Sequence, residues 1–294
     1  MANLVLNFGG SFETGDSSTA SFTYKDSKIV ILPVPFDATS TWIKGAHKGP
    51  KAILEASPNM EFYDIETNSE VYKKGIFTEK EIVSNKLEDM LKKVEEKAKQ
   101  LIKDKKFVVV LGGNHSISIG AIKAHADSFK NISILHLDAH GDSRNTYQGN
   151  KYSHACVIAR AKEIVNNIVS VGIRALDASE IKNMDKNKIF FAHDIYNSAD
   201  WIKKAVNELS ENVYITIDVD VFDPSIIPST GTPEPGGLNW YQVTSLLKET
   251  AKKKNIVGFD VVELCPSDNK APDFAIAKLI YMLLSYKFYN MNLK

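Results

Sequence analysis

Short, almost purely apolar runs alternate along this chain with longer stretches in which apolar residues recur at helical spacing. The apolar runs fall at 29–34, 107–111, 132–137, 167–171, 188–191, 213–217 and 256–262 and are dominated by Val, Ile, Leu and Phe. Uninterrupted runs of about four to eight such residues suit strands buried on both faces. Between them the pattern predicts helices near 49–57, 79–104, 117–128, 153–164, 198–209, 241–254 and 272–286. The clearest, 79–104, places Leu87, Met90, Leu91, Val94, Ala98 and Leu101 on one stripe with Lys and Glu around it. Pro50, just ahead of Ala52-Ile53-Leu54, suits the first turn of its helix. Strands and helices in alternation predict an α/β fold: three layers, α/β/α, around a mostly parallel central sheet. No Gly/Ser/Pro linker, internal repeat or low-complexity tract interrupts the pattern, so residues 1–294 read as one domain.

Composition narrows the classes of function. The chain has 294 residues, 44% hydrophobic and 24% charged, an ordinary globular balance. Its 36 basic and 36 acidic side chains cancel, which argues against a nucleic-acid surface, since counterion-driven binding needs a basic excess. No apolar run approaches the ~20 residues needed to cross a bilayer, so no membrane partner is expected. The Met1–Asn7 stretch lacks the basic start and long apolar core of a secretory leader. Cys156 and Cys265 form neither a disulfide framework nor a Cys-x-x-Cys pair, and a reducing cytoplasm is the expected setting.

Four of the apolar runs end in carboxylates or histidine. They read Phe107-Val-Val-Val-Leu-Gly-Gly-Asn-His115, Ile132-Ser-Ile-Leu-His-Leu-Asp138-Ala-His140-Gly-Asp142, Val213-Tyr-Ile-Thr-Ile-Asp218-Val-Asp220 and Ile256-Val-Gly-Phe-Asp260-Val-Val-Glu263. Ligands of open α/β sheets bind at the carboxyl ends of the strands. Alternation would aim Asp138, His140 and Asp142 the same way, and likewise Asp218 and Asp220. A single aspartate at a strand end is as readily a cap or turn former; coincidence explains the whole set poorly. Four carboxylates and two imidazoles in one buried place need cations to neutralise them. Without thiolate, this donor set favours a pair of Mn²⁺ ions, with Fe²⁺, Co²⁺ or Ni²⁺ tolerated by the same cage. Two such ions activate a bridging water for hydrolysis.

Gly112-Gly-Asn-His-Ser116, Asp138-Ala-His-Gly-Asp142 and Asp218-Val-Asp-Val-Phe-Asp-Pro-Ser225 resemble the three metal signatures of the ureohydrolases, the arginase and agmatinase family. Pro35-Phe-Asp-Ala-Thr, Gly45–Ile53, Thr230-Gly-Thr-Pro233, Gly236-Gly-Leu238 and Asp260–Pro266 follow the family order, so the resemblance runs from about residue 30 to the C-terminus. It implies a dimanganese hydrolase with two Mn²⁺ per subunit. His115, Asp138, Asp142 and Asp220 would lie on one side of the cluster, His140 and Asp218 would complete it, and Asp138 and Asp218 would bridge. A trimer or hexamer is implied by the resemblance alone. Two positions depart from the family pattern: Asn114 stands where an acidic residue is usual, and His47 where an arginine is common. Neither is a ligand position, and both bear on how the ligands are oriented.

Hydrolysis of a guanidinium needs a strong nucleophile and a partner for a planar cation. Glu263 suits the second task, since a carboxylate pairs bidentately with guanidinium nitrogens. His154, in Tyr152-Ser-His-Ala-Cys156, suits a proton shuttle at the pocket mouth and substrate contact; a capping role is its bland alternative. By the resemblance, Asp142 would relay the nucleophile's proton to the leaving nitrogen. His125 and His193 read as structural, and His136 as packing. The segment Ser143–His154 resembles the agmatinase form, which points to agmatine as substrate and to urea and putrescine as products, a step of polyamine synthesis. Arg144 and Lys151 keep an acidic tail in play, as in formimidoylglutamate or guanidinobutyrate, with arginine behind them. A metal-binding relative without turnover is the alternative of another class. The long Gly/Pro-rich segment Asp223–Gly237, directly after a carboxylate pair, is expected to carry function.

Overall fold

The seven apolar runs and one further short strand, Ile76–Thr78, pair into one sheet in which every neighbouring pair of strands is parallel. The computed structural model describes residues 6–10, 12–13, 19–20, 22–198 and 200–289. Met1–Val5 of the N-terminal stretch and Ala199 of the expected 198–209 helix lie outside the described residues. A two-stranded antiparallel pair, β1 (Phe12–Glu13) and β2 (Thr19–Ala20), precedes the sheet. Then follow β3 (Ile29–Val34), α1 (Gly49–Ala56), β4 (Ile76–Thr78), α2 (Leu87–Lys103), β5 (Phe107–Gly112), α3 (Ser118–Ser128) and β6 (Ile132–Leu137). The second half contains α4 (Val157–Ala161), β7 (Ile168–Ile173), β8 (Ile189–Phe191), α5 (Ala192–Ile195), α6 (Trp201–Glu208), β9 (Asn212–Asp218), α7 (Trp240–Lys253), β10 (Asn255–Val262) and α8 (Ala271–Phe288).

The strand order is β4-β3-β5-β10-β9-β6-β7-β8. The chain therefore lays down β3, adds β4 outside it and β5 inside it, jumps to β6, builds the other half outward, and returns to insert β9 and β10 in the middle. Reversals of this kind open a crevice at the carboxyl ends of the central strands. The four runs that end in carboxylate or histidine are those four central neighbours, β5, β10, β9 and β6.

Period-two alternation splits the strand side chains between two cores. Ile29, Ile31, Val109, Leu111, Ile215 and Ile217 pack with Ile53 of α1, Val206 of α6, Leu246 of α7 and Leu279 of α8. Val30, Leu32, Val108, Val110 and Tyr214 pack on the other face with Met90 and Val94 of α2, Ile122 of α3 and Ile158 of α4. The fold is three layers, α/β/α. Each fully buried Leu, Ile or Val is worth about 1.5–3 kcal/mol, so the cores can carry a strained polar edge between them. No helix among the described residues is long and apolar enough to cross a membrane.

Two of the expected helices differ from the sequence pattern. The helix expected from 79 begins at Leu87, because Glu79 and Ile82 donate their backbone N–H groups to Ile31 and Pro33 of β3 instead. Backbone pairing to an open sheet edge there outweighs a weak helical preference. The helix expected at 153–164 is a 3₁₀ turn, His154–Cys156, followed by the short α4. The carbonyl of Asp142 accepts from Ile158 and Ala159 at the start of α4, which fastens that helix to the loop after β6.

The turn after β5 depends on Gly113. A Cβ there would stand 2.1 Å from the carbonyl oxygen of Phe36, which itself accepts from Asn114 N at 2.8 Å. Gly113→Ala must push the β3 and β5 ends apart, and is expected to cost at least about 2 kcal/mol. Denaturant unfolding of the variant checks this; an unchanged midpoint would show that the two strand ends are not held that closely.

Candidate active site

All six sequence-predicted ligands meet at the carboxyl edge, though strand alternation is not what aims them. β6 ends at Leu137 and β9 at Asp218, so Asp142 and Asp220 lie in turns. Asp142 takes a left-handed backbone, φ 45°, as does Glu263, φ 67°. Non-glycine residues rarely adopt that region and do so chiefly where surrounding contacts hold them. Here the holding contacts are backbone amides. Ala139 N donates to Asp220 Oδ1 at 2.9 Å, Asp220 N to Asp218 Oδ1 at 2.9 Å and His115 N to Glu263 Oε1 at 2.7 Å, while His140 N donates to Asp138 Oδ1.

The donor atoms fall into two overlapping groups. His115 Nδ1 lies 3.1 Å from both Asp138 Oδ2 and Asp142 Oδ2 and 3.5 Å from Asp218 Oδ2. His140 Nδ1 lies 2.9 Å from Asp220 Oδ2 and 3.5 Å from Asp138 Oδ1, so Asp220 falls with His140 and Asp218 reaches the His115 group, a correction to the grouping that the family resemblance implied. Asp138 thus faces one group through each of its oxygens. Donors ~2.1 Å from a shared ion and at right angles about it stand about 3 Å apart, the spacing seen here. His115 Nδ1 is buried with no hydrogen-bond partner. An orphaned nitrogen facing three carboxylates fits a metal ligand better than any protein partner on offer.

Electrostatics reinforce that fit. Burial, with Asp220, Asp138 and Glu263 nearby, raises the Asp218 carboxyl well above the usual range. Burial opposes a charge on His115 and His140, yet the surrounding carboxylates win: His115 is raised well above the ordinary histidine value and His140 is pushed up to about 12. Asp138, among three histidines that outweigh its burial, is held well below the usual carboxylate range. Burial also pushes Glu263 up to about 8, with Asp220 and Asp142 adding to it. The cluster keeps protons that divalent ions would replace.

A second set of residues orients the donors. Tyr214 OH and Thr216 Oγ1 both donate to Asp260, each at 2.7 Å. Thr216 has thereby used its proton, so it accepts from His115 Nε2 at 2.8 Å. Nε2 therefore keeps its hydrogen, and when a bound ion displaces the second proton the Nδ1 lone pair is the one that faces the carboxylates, the tautomer a ligand needs. His136, for which packing was the favoured reading and a contact behind Asp138 the alternative, donates from Nε2 to Asp138 Oδ2 at 2.8 Å with Nδ1 against Ser170 Oγ at 3.1 Å. Two other expectations hold a structural reading: His125 is buried against Tyr214 and Phe129, and His193 is largely exposed.

Above the cluster opens a cavity of about 290 Å³. His140, Asp142, Asp218, Asp220 and Glu263 form its floor; His154, Arg144 and Tyr147 stand on one wall. Burial holds the half-buried His154 below its ordinary value, with His115 and His140 adding to the effect. Of the opposite walls, only the 223–237 loop was expected from sequence to carry function. They are Ser40–Ile43, the Ala175–Glu180 turn after β7, and Gly231, Thr232 and Glu234 from the long loop. That loop is clasped by Asp223, which accepts from Gly236 N and Gly237 N, and by Arg174, whose guanidinium donates to the carbonyls of Asp220, Phe222 and Glu234. Arg174 had one available signal, a lone arginine ending the apolar run Ile168–Ile173. Lys151 is exposed above the Tyr152 ring and does not line the cavity. Arg144 does, but Asp177 and Glu180 lie 3.6 and 3.7 Å from its guanidinium, which stacks on Tyr147.

The arginase family model matches residues 27–285, nearly the whole of the sheet and its helices. This chain belongs to the arginase family. An N(1)-aminopropylagmatine ureohydrolase of Synechocystis is 35% identical over 281 residues, covering 92% of both chains. An agmatinase of Pyrococcus horikoshii is 31% identical, over 93% of this chain and 96% of its own. Among solved structures, the agmatine ureohydrolase of Thermoplasma volcanium superposes with a TM-score of 0.81 at 34% identity, over 90% of this chain and 91% of that one. The ureohydrolase fold and the parallel sheet expected from sequence are thus both found.

Two outcomes follow for the cluster. Asp220→Ala is expected to lose bound Mn²⁺ while the fold survives, checked by metal analysis beside circular dichroism; two stoichiometric ions in the variant would refute the ligand set. Because His115 and His140 hold protons and Asp218 is raised, metal uptake must release protons. Affinity should therefore rise with pH, and titration in weak buffer should acidify the solution; pH-independent uptake would contradict this.

Proposed function

We propose that this ureohydrolase cleaves the guanidino group of agmatine, releasing urea and putrescine. The observation that carries the reading is the polarity of the cavity. Its outer wall holds Asp177, Glu180 and Glu234, and Glu263 stands at its floor beside the cluster that bound metals would neutralise. The arginine on its wall, Arg144, already faces two of those acids. A substrate cationic at both ends suits such a cavity; a substrate with a carboxylate tail would meet like charge. This weighs against guanidinobutyrate and formimidoylglutamate, and against arginine for the same reason.

His115, Asp138, Asp142 and Asp218 would hold one ion, and Asp138, His140, Asp218 and Asp220 the other. A bound pair of Mn²⁺ ions supplies activated water at neutral pH and neutralises the cluster. Glu263 sets the guanidinium over the floor: Oε1 is fixed by His115 N, and the carboxylate faces the cavity. Pairing with a cation there also returns Glu263 to its charged form. Asp142 accepts the proton of the attacking water and passes it to the departing nitrogen. The C–N bond breaks, urea and the free amine leave, and His154 exchanges the remaining proton with solvent at the mouth.

A second reading is N(1)-aminopropylagmatine. It is favoured by the 35% identical relative of that name and by the continuation of the cavity wall past Glu234 to Trp42, whose ring is exposed. A longer polyamine arm would place further ammonium groups along this wall.

Urea release from agmatine, N(1)-aminopropylagmatine, arginine and guanidinobutyrate with Mn²⁺, beside formamide release from formimidoylglutamate, tests the proposal. The two polyamine-type guanidines should exceed the carboxylate-bearing ones by about a hundred-fold in kcat/KM. Comparable turnover of guanidinobutyrate would overturn the reading, and the ratio of the first two substrates decides between the two tails. Glu263→Gln should lower kcat/KM by about a hundred-fold or more with both metals retained; native kinetics in that variant would remove Glu263 from its role.

A further inference from the structure

The loop between β3 and α1 reaches the active site through Thr39, and its hydrogen bonds determine which nitrogen of His154 is free. Asn114 is fully buried. One atom of its amide faces the backbone N–H groups of Thr39 and Ser40, each at 3.2 Å, and the Thr39 hydroxyl at 2.7 Å. Backbone N–H groups only donate, so that atom is Oδ1. The amide nitrogen then donates to Ser116 Oγ at 2.6 Å.

The Thr39 hydroxyl has one proton and three close partners. Asn114 Oδ1 can only accept, and two oxygens 2.7 Å apart repel unless a proton lies between them. The Thr39 proton therefore points to Asn114. What remains on Thr39 Oγ1 is lone pairs, and His154 meets them twice: its backbone N at 3.2 Å and its ring Nδ1 at 3.2 Å. Nδ1 must then carry hydrogen. Ser153 Oγ, at 3.3 Å from the same nitrogen, is a longer contact that its rotating hydroxyl adjusts to.

We infer that Asn114 and Thr39 form a positioning relay that fixes His154 in the Nδ1-protonated tautomer, presenting Nε2 as the proton acceptor. The inference rests on the hydrolase reading for its catalytic consequence and on hydrogen-bond chemistry alone for the tautomer. The relay has the logic of an oriented imidazole, with a neutral amide and a hydroxyl where a carboxylate commonly stands. Tyr147, packed edge-on to the ring at 5.7 Å, limits its rotation. The unusual Asn at 114 keeps the acceptor that the relay requires while adding no further negative charge beside the cluster.

Thr39→Val and Thr39→Ser, compared as Mn²⁺-loaded enzymes, separate this role from packing. Thr39→Val should lower kcat about ten-fold with KM for agmatine within about two-fold and metal content unchanged, and Thr39→Ser should recover most of the loss. The tautomer is read without turnover from ¹⁵N spectra of histidine-labelled protein loaded with diamagnetic Zn²⁺, the His154 signals being identified by their loss in His154→Asn. The native spectrum should show Nδ1 protonated and Thr39→Val a mixture. Native kcat in Thr39→Val, equal impairment in both variants, or a native spectrum with Nε2 protonated would overturn the relay. A native enzyme that hydrolyses none of the guanidines would overturn the hydrolase reading instead, with the spectrum still deciding the tautomer.

Discussion

Buried carboxylates gripped by backbone amides are the interaction on which this structure depends. Asp138, Asp218, Asp220 and Glu263 each accept an N–H from a turn at the edge of the sheet. Each bond does two things. It partly compensates an anion taken out of water, and it aims the carboxylate's remaining lone pairs into the space its neighbours share. The amides belong to the segments that follow β5, β6 and β9. The ends of these central strands therefore cannot shift without disturbing one another's side chains.

The sheet topology makes such an arrangement affordable. Inserting β9 and β10 last, between β5 and β6, brings four strand ends side by side at the reversal of strand order. Two apolar cores flank them, one on each face, and supply the stability that a cluster of like charges subtracts. Hydrogen-bonded groups beneath the cluster then remove rotational freedom. The Tyr214–Asp260–Thr216–His115 chain and the Ser170–His136–Asp138 chain both end on a donor of the buried cluster. A rigid floor of this kind suits catalysis by positioned charge, where reorganisation during the reaction would be the main cost.

The walls obey different rules from the floor. Besides the 143–154 segment, they come from three connections, 37–47, 174–180 and 223–237, tied down by single polar residues. Asp37 accepts from Gly45 N, His47 N and His47 Nδ1; Arg174 and Asp223 tie down the long loop; Glu180 joins Ser143 N to Asp177 N. His47, the second departure from the family pattern, thus serves the loop that carries Thr39 and Trp42 and does not touch the ligands. Substitutions in these walls can alter the tail a substrate carries while leaving the hydrolytic floor unchanged, which fits a family whose members are named for different guanidino compounds.

Strand and helix positions were legible because buried parallel strands are continuous apolar runs and helices repeat their apolar face. The ligand residues were legible because carboxylates and histidines abutting buried strands have few structural uses in that number. What sequence could not supply is any relation between segments that are distant in the chain. Glu234 and Asp177 look like ordinary surface acids until the 223–237 and 174–180 turns face the same cavity. His136 looks like packing until Asp138 is seen to turn back onto it, and Arg144 looks like a free charge until Asp177 and Glu180 are placed beside it. Residue type and local period are written in the chain itself, so the sequence alone determined the fold class, a candidate donor set and, through its resemblance to the ureohydrolases, the hydrolase family. The direction of each donor, the tautomer of each histidine and the charge of the substrate wall come from hydrogen bonds across long separations, and only the tertiary structure decided those.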